Sequence, residues 1–226
     1  LKQIGLALHN YHDAAKTLPP GGVTKKVNGS VVNNCWGWNA MILPQLEQQP
    51  LHSALEVGKR SLWSTAGDPA ILPYMQTPIP SLRCPSDNAP PLGDYRQING
   101  QSLIVTNYVG SNASDNFFLE TEDIKRPVGG VFLLDRAIKF RDIIDGLTST
   151  FMVGERGWEY KADGQTYRAG GAQPFGLGAR STSIDDSARV ADTLGSGLYK
   201  LNLAGTTMPS QTTGDNRTVV TGVFGD

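Results

Sequence analysis

Three histidines, two cysteines and a scatter of carboxylates are the residues of this chain whose types and spacing could do chemistry. His9, His12 and Asp13 come closest to a metal-ligand set, because residues three and four apart on a helix share a face and imidazole and carboxylate both bind zinc. A third ligand is not evident, since the remaining histidine, His52, lies far along the chain; helix-surface or capping roles are the alternative. For nucleophilic catalysis, Cys84 or Ser86 would need His52 as base, and nothing in their spacing supports that pairing. Cys84-Pro85-Ser86-Asp87 reads instead as a turn, with proline presetting the backbone and Ser or Asp bonding local amides. Glu47, Glu155 and Glu159 would be glycosidase acids only if the fold set two of them at a working separation.

No nucleophile–base pair, metal set or cofactor signature stands out, so the chain is expected not to be an enzyme and to carry no cofactor. Asp142, Asp145, Asp163, Asp185, Asp186 and Asp192 fall in turn-like contexts, which leaves a structural calcium open beside the plainer reading of solvated turns. Trp36, Trp38, Trp63 and Trp158 could stack a sugar, but core packing is the better expectation. Cys35 and Cys84 are a possible disulfide in an oxidising compartment, or otherwise two buried thiols.

The elements that must position these residues begin with an amphipathic helix. Leu1, Ile4, Leu8 and Tyr11 recur at helical spacing and form the expected packing face, which Leu6 and Ala7 widen. No capping residue precedes Leu1, so residues 1–15 read as the C-terminal half of a longer helix, and Pro19-Pro20-Gly21-Gly22 forbids its continuation. Asn28-Gly29 between apolar residues predicts a hairpin. Residues 36–49 carry helix-like spacing interrupted by Pro44, Pro50 opens a short helix that Gly58 stops, and Asp68-Pro69 starts another. Strands are predicted at 103–109, 128–134, 148–155, 166–169 and 218–224, with a helical turn at 138–144 and a loop-rich stretch at 170–215.

The predicted class is therefore α+β: a truncated N-terminal helix packed on an antiparallel β-sheet, with short helices and long loops. With 226 residues and 39% hydrophobic content the chain can bury one core, and residues 1–226 are expected to form a single domain. A net charge of −1 offers no field for a polyanion, so nucleic acid is not an expected partner. No window carries the ~20 apolar residues that cross a bilayer.

Several segments, taken in order, carry a resemblance. They are Leu1-Lys2-Gln3-Ile4-Gly5-Leu6-Ala7-Leu8-His9-Asn10-Tyr11-His12-Asp13 followed by Leu18-Pro19-Pro20-Gly21, then Trp36-Gly37-Trp38 and Leu43-Pro44-Gln45-Leu46-Glu47-Gln48. Further on come Leu82-Arg83-Cys84-Pro85-Ser86-Asp87, Thr106-Asn107-Tyr108-Val109-Gly110, Gly130-Val131-Phe132, and Ile144-Asp145-Gly146-Leu147 with Val153-Gly154-Glu155. Over residues 1–155 the chain resembles a large bacterial pilin-like family best known from planctomycetes, related to type IV pilins and type II secretion pseudopilins, with an extracellular domain of unknown function.

The resemblance implies a basic leader upstream, a prepilin cleavage and methylation site, and a hydrophobic helix running into Leu1. It implies membrane anchoring through that helix, display at the cell surface or in the periplasm after inner-membrane insertion, and other pilin-like subunits or a second copy as partners. It also implies a C-terminal His followed by an Asp-Gly pair, which Gly222-Val223-Phe224-Gly225-Asp226 does not carry. A packing role near the end of the first helix is what it implies for His9 and His12. The expected function is that of a noncatalytic pilin-like subunit, with an anchored extracytoplasmic module that binds a carbohydrate or solute as the alternative.

Overall fold

A computed structural model describes residues 1–27, 30–113, 129–162, 165–168, 170–176 and 193–196. Its first element, α1 (Lys2–Ala15), ends where Lys16 turns left-handed at φ 60° and donates its N–H to the His12 carbonyl at 2.7 Å. Two residues later the Leu18 N–H donates to the Ile138 carbonyl, and the Leu18 side chain is fully buried. The helix therefore stops ahead of the proline pair, by a left-handed cap that a lysine supplies.

Ile4, Ala7 and Leu8 are the buried residues of α1, and Tyr11 packs partly buried against the same core. The packing face is narrower than the spacing suggests, because Leu1 is 43% exposed and Leu6 62% exposed. Those two point away from the core that takes Ile4 and Leu8. The nearest elements to α1 are the 3-10 turns Pro44–Leu46 and Pro80–Leu82, so the helix lies on proline-started turns.

Strands β1 (Gly22–Val27) and β2 (Ser30–Gly37) pair antiparallel with Val27 opposite Ser30, which puts the connection where Asn28-Gly29 predicts it. Trp36 lies in β2, which Gly37 closes, and Trp38 opens α2 (Trp38–Met41), so the expected helix start splits across a strand and a helix. Next come α3 (Gln49–Ala54), α4 (Leu62–Ala66) and α5 (Leu72–Met75). Helix α4 has a cap that the sequence reading passed over: Ser61 accepts the Ser64 N–H on its hydroxyl at 3.0 Å.

The second half carries β3 (Leu92–Ile98), β4 (Gln101–Ile104), β5 (Tyr108–Ala113), β6 (Val153–Glu155), β7 (Glu159–Ala162), β8 (Gln165–Arg168) and β9 (Leu194–Ser196). The α+β class holds, with five helices among the described residues and antiparallel pairs β3–β4, β5–β6 and β7–β8. The strands divide among small sheets, and β9 joins the edge of β5 in parallel.

Three predicted strands come out differently, the run 148–155 keeping only β6 (Val153–Glu155). The run 103–109 breaks at Thr106, which leaves the ladder to pair with Ala172, so β4 and β5 belong to different sheets. Residues 129–134 make isolated bridges, Leu134 with Gly22 and Leu133 with Arg136. The helical turn expected at 138–144 is the 3-10 turn Phe140–Asp142, while the strand expected at 218–224 lies outside the described residues.

Candidate functional site

The densest polar constellation is built on Asn107, which sits fully buried in the residue gap between β4 and β5. Its Oδ1 accepts the Cys84 N–H at 2.8 Å, and its Nδ2 donates to Asp87 Oδ2 at 2.7 Å and to the Arg156 carbonyl at 3.0 Å. Its backbone is used as well: the N–H donates to the Leu82 carbonyl, and the carbonyl accepts the Arg156 N–H at 2.6 Å. Asp87 Oδ1 accepts the Trp158 N–H at 2.9 Å, so one carboxylate and one amide tie the turn 84–87 to the chain that follows β6. Arg156, 1% exposed, donates Nη1 to the Gly171 carbonyl and Nη2 to the Leu194 carbonyl, extending the same knot to β9.

Beside this knot lies a cleft of about 470 Å³, walled by Pro78, Pro80, Pro85 and Pro91 with Ile104 behind them and Cys84 at its edge. Asp87 reaches the cleft, but both of its oxygens are already accepting. Arg83 does too, and its guanidinium donates to the Ala89 and Pro90 carbonyls. The polar groups at the cleft hold the protein's own loop, and what remains toward solvent is mainly proline and aliphatic surface.

Cys84 is a free thiol with Sγ 3.1 Å from Ser86 Oγ. His52, the only base considered for it, is not among the residues lining the cleft. The His52 imidazole is pushed below its ordinary pKa, first by burial and then by the Lys59 charge. Cys35 belongs to β2 in a stretch whose side chains lie outside the described residues, and the expected Cys35–Cys84 pairing lies outside them with it.

His9 and His12 do come together, on an aromatic ring. His12 stacks on Phe140 with centroids 4.0 Å apart and His9 tilts onto the same ring at 5.0 Å. Among the described residues no group of three His, Cys, Asp or Glu could hold a metal ion. Asp142 accepts the Lys139 N–H at 2.8 Å and starts the turn that carries Phe140, while Asp163, Asp185, Asp186 and Asp192 lie outside the described residues. The three glutamates serve separate contacts: Glu47 is the left-handed end of the turn at Pro44–Leu46, Glu155 faces Tyr108 across β5 and β6, and Glu159 accepts from Asn88 Nδ2.

Three of the four tryptophans form core, while Trp63 is only half-buried and stands outside the core clusters. Trp36 donates Nε1 to the Arg60 carbonyl at 2.7 Å, Trp38 packs on Phe132 with its Nε1 on the Thr193 carbonyl, and Trp158 is 5% exposed beside Val105. Gly110 is where this packing tolerates no side chain, since a Cβ there would lie 2.7 Å from the Phe132 ring and 3.0 Å from Trp38 Nε1.

Tyr108, 7% exposed, has its phenol pushed up to about 12, first by burial, then by the charges of Glu155 and Cys84. Its folded pKa lies above the ordinary 10, so its contribution to stability is present below pH 10 and is lost as pH rises through about 12. In a spectrophotometric titration of the native protein, the Tyr108 phenol should ionise after the exposed tyrosines, Tyr11 being raised by burial as well, and Tyr108→Phe should remove the step near pH 12.

The segments that carry the resemblance are the ones that meet here. The Asn107 stretch binds the Cys84–Asp87 stretch, Gly110 admits Trp38 and Phe132, and the His9–His12 stretch stacks on the turn before Ile144. A family model described as "Protein of unknown function (DUF1559)" matches residues 1–224, beyond the 155 residues of the motif resemblance. No curated protein and no solved structure matches the chain.

Proposed function

The chain belongs to this family, and from that premise we propose that it is a noncatalytic pilin-like or pseudopilin-like subunit. On this reading it is anchored by a hydrophobic helix upstream of α1 and displayed outside the cytoplasm, where it assembles with like subunits. The observation that carries the reading is the two-sidedness of α1. One face, Ile4, Ala7 and Leu8, is buried on the head, while Leu6 and Leu1 present apolar surface outward. A single exposed leucine is ordinary on a surface helix; on this reading Leu6 and Leu1 are the outward contacts of a helix shared between a head and neighbouring subunits. No helix among the described residues is long and apolar enough to cross a membrane.

The chemistry around Asn107 supports the noncatalytic part. Its amide, the Asp87 carboxylate and the Arg83 guanidinium are all spent on backbone or on each other, as in a fastening and unlike a reaction centre. The proline-walled cleft favours one second reading, an anchored module that binds a solute or carbohydrate and never polymerises. Immunogold electron microscopy of cells carrying the full-length protein separates the two. Gold along filaments or in clustered tips supports the subunit, and gold spread evenly over the envelope supports the module.

A further inference from the structure

The floor of the cleft beside the Asn107 knot is core. Ile79 and Ile104 belong to the main buried cluster, and Val105 packs with Ala89 and Trp158 in a second one. Around that floor stand Pro78, Pro80, Pro85 and Pro91, rings that bring no N–H donor and little freedom to collapse inward. The space of about 470 Å³ is of the size that small molecules occupy, roughly 300–1,000 Å³, and a floor fixed by core packing keeps it formed without a ligand.

Two charged side chains line the same cleft, Arg83 and Asp87. Their opposite signs offset each other, so neither a cation nor an anion gains by entering. Asp87 accepts from Asn107 Nδ2 and the Trp158 N–H, while Arg83 donates Nη1 to the Pro90 carbonyl at 3.0 Å and Nη2 to the Ala89 carbonyl. The Arg83 bonds lie in the guanidinium plane and fix it, which leaves its flat face to offer a ligand. That face, the Cys84 sulfur and the aliphatic walls share one complement: cations stack on π rings, and sulfur favours the edges of the same rings. We infer that the cleft binds a small, neutral aromatic solute, its ring stacked toward Arg83 over the Ile104 and Val105 floor. A sugar fits less well, because each hydroxyl that leaves water needs a partner, and the cleft's polar side chains are engaged on its own loop. The inference rests on the second reading, that the cleft receives a solute, and names the class of that solute.

Three probes of different chemistry, indole, cyclohexanol and methyl glucoside, are titrated at matched millimolar concentrations into the 226-residue chain and followed by methyl NMR. Indole should move the Ile79, Ile104 and Val105 methyl signals by ring current in a saturable way, and the other two should bind more weakly. Arg83→Met keeps an apolar stem and removes the charged plane, so it should weaken indole about 2–30-fold. Indole binding unchanged in that variant contradicts the stacking on Arg83, and the probe series on the parent chain stands whether or not the variant folds. Cyclohexanol or methyl glucoside binding at least as tightly as indole overturns the aromatic assignment and leaves the second reading in place. No shift at the cleft from any of the three overturns both.

Discussion

Asn107→Ala should lower the stability of the protein by about 3–4 kcal/mol, a loss of roughly 6–15 °C in melting temperature, measured by denaturant titration and thermal melts. The size follows from what the amide does. One side chain satisfies the Cys84 N–H, an oxygen of the Asp87 carboxylate and the Arg156 carbonyl, and alanine leaves all three to find other partners around a fully buried residue. The bond to the Arg156 carbonyl is the costliest, because it is buried, whereas Asp87 is half-buried at the cleft and can regain water. Asn107→Asp should be at least as damaging despite the matching shape, since it sets a second carboxylate where Nδ2 met Asp87.

The second large effect separates the two faces of α1. Leu8→Ala should cost about 2–5 kcal/mol, because Leu8 is fully buried in the main core and its removal leaves a cavity. Leu6→Ala should change stability by no more than about 0.5 kcal/mol, since that side chain is 62% exposed. The proposed function adds the second half of the expectation: Leu6→Ala keeps a folded head and weakens assembly, whereas Leu8→Ala weakens the head itself. Loss of stability from Leu6→Ala comparable to Leu8→Ala would mean that the outward face is not outward.

Much of the first half was legible because its signals are local. The 3.6-residue spacing of Ile4, Leu8 and Tyr11 marked the helix, and Asn28-Gly29 placed the hairpin connection between Val27 and Ser30. Leu6 shows where spacing stops informing. An apolar residue near the edge of a stripe is buried or exposed according to what lies beneath, and the short turns under α1 are too narrow to cover it. The apolar run from Leu103 to Val109 reads as one strand, yet Thr106 is drawn off to Ala172, sixty-six residues later, by a pairing no local pattern announces.

The polar knot was the least legible part. Asn107 lies in a β-rich run with no catalytic or metal spacing around it, and its partners come from turns 20 and 49 residues away. The available signal was the asparagine itself, a residue poorly suited to a strand and standing between β-formers, which asks for buried partners. His9 and His12 invited a metal reading because spacing on a helix shows which residues share a face and says nothing of what they face; here it is the Phe140 ring.

The central claim, that the outward face of α1 meets other subunits, is tested most directly by photocrosslinking on intact cells. A photoreactive amino acid at Leu6 in the full-length protein is compared with the same probe at Tyr74, a similarly exposed residue on α5. The expected result is a ladder of covalent dimers and higher species from position 6 and none from position 74. Monomer alone from position 6, in cells where the protein is present at the envelope, would contradict the account.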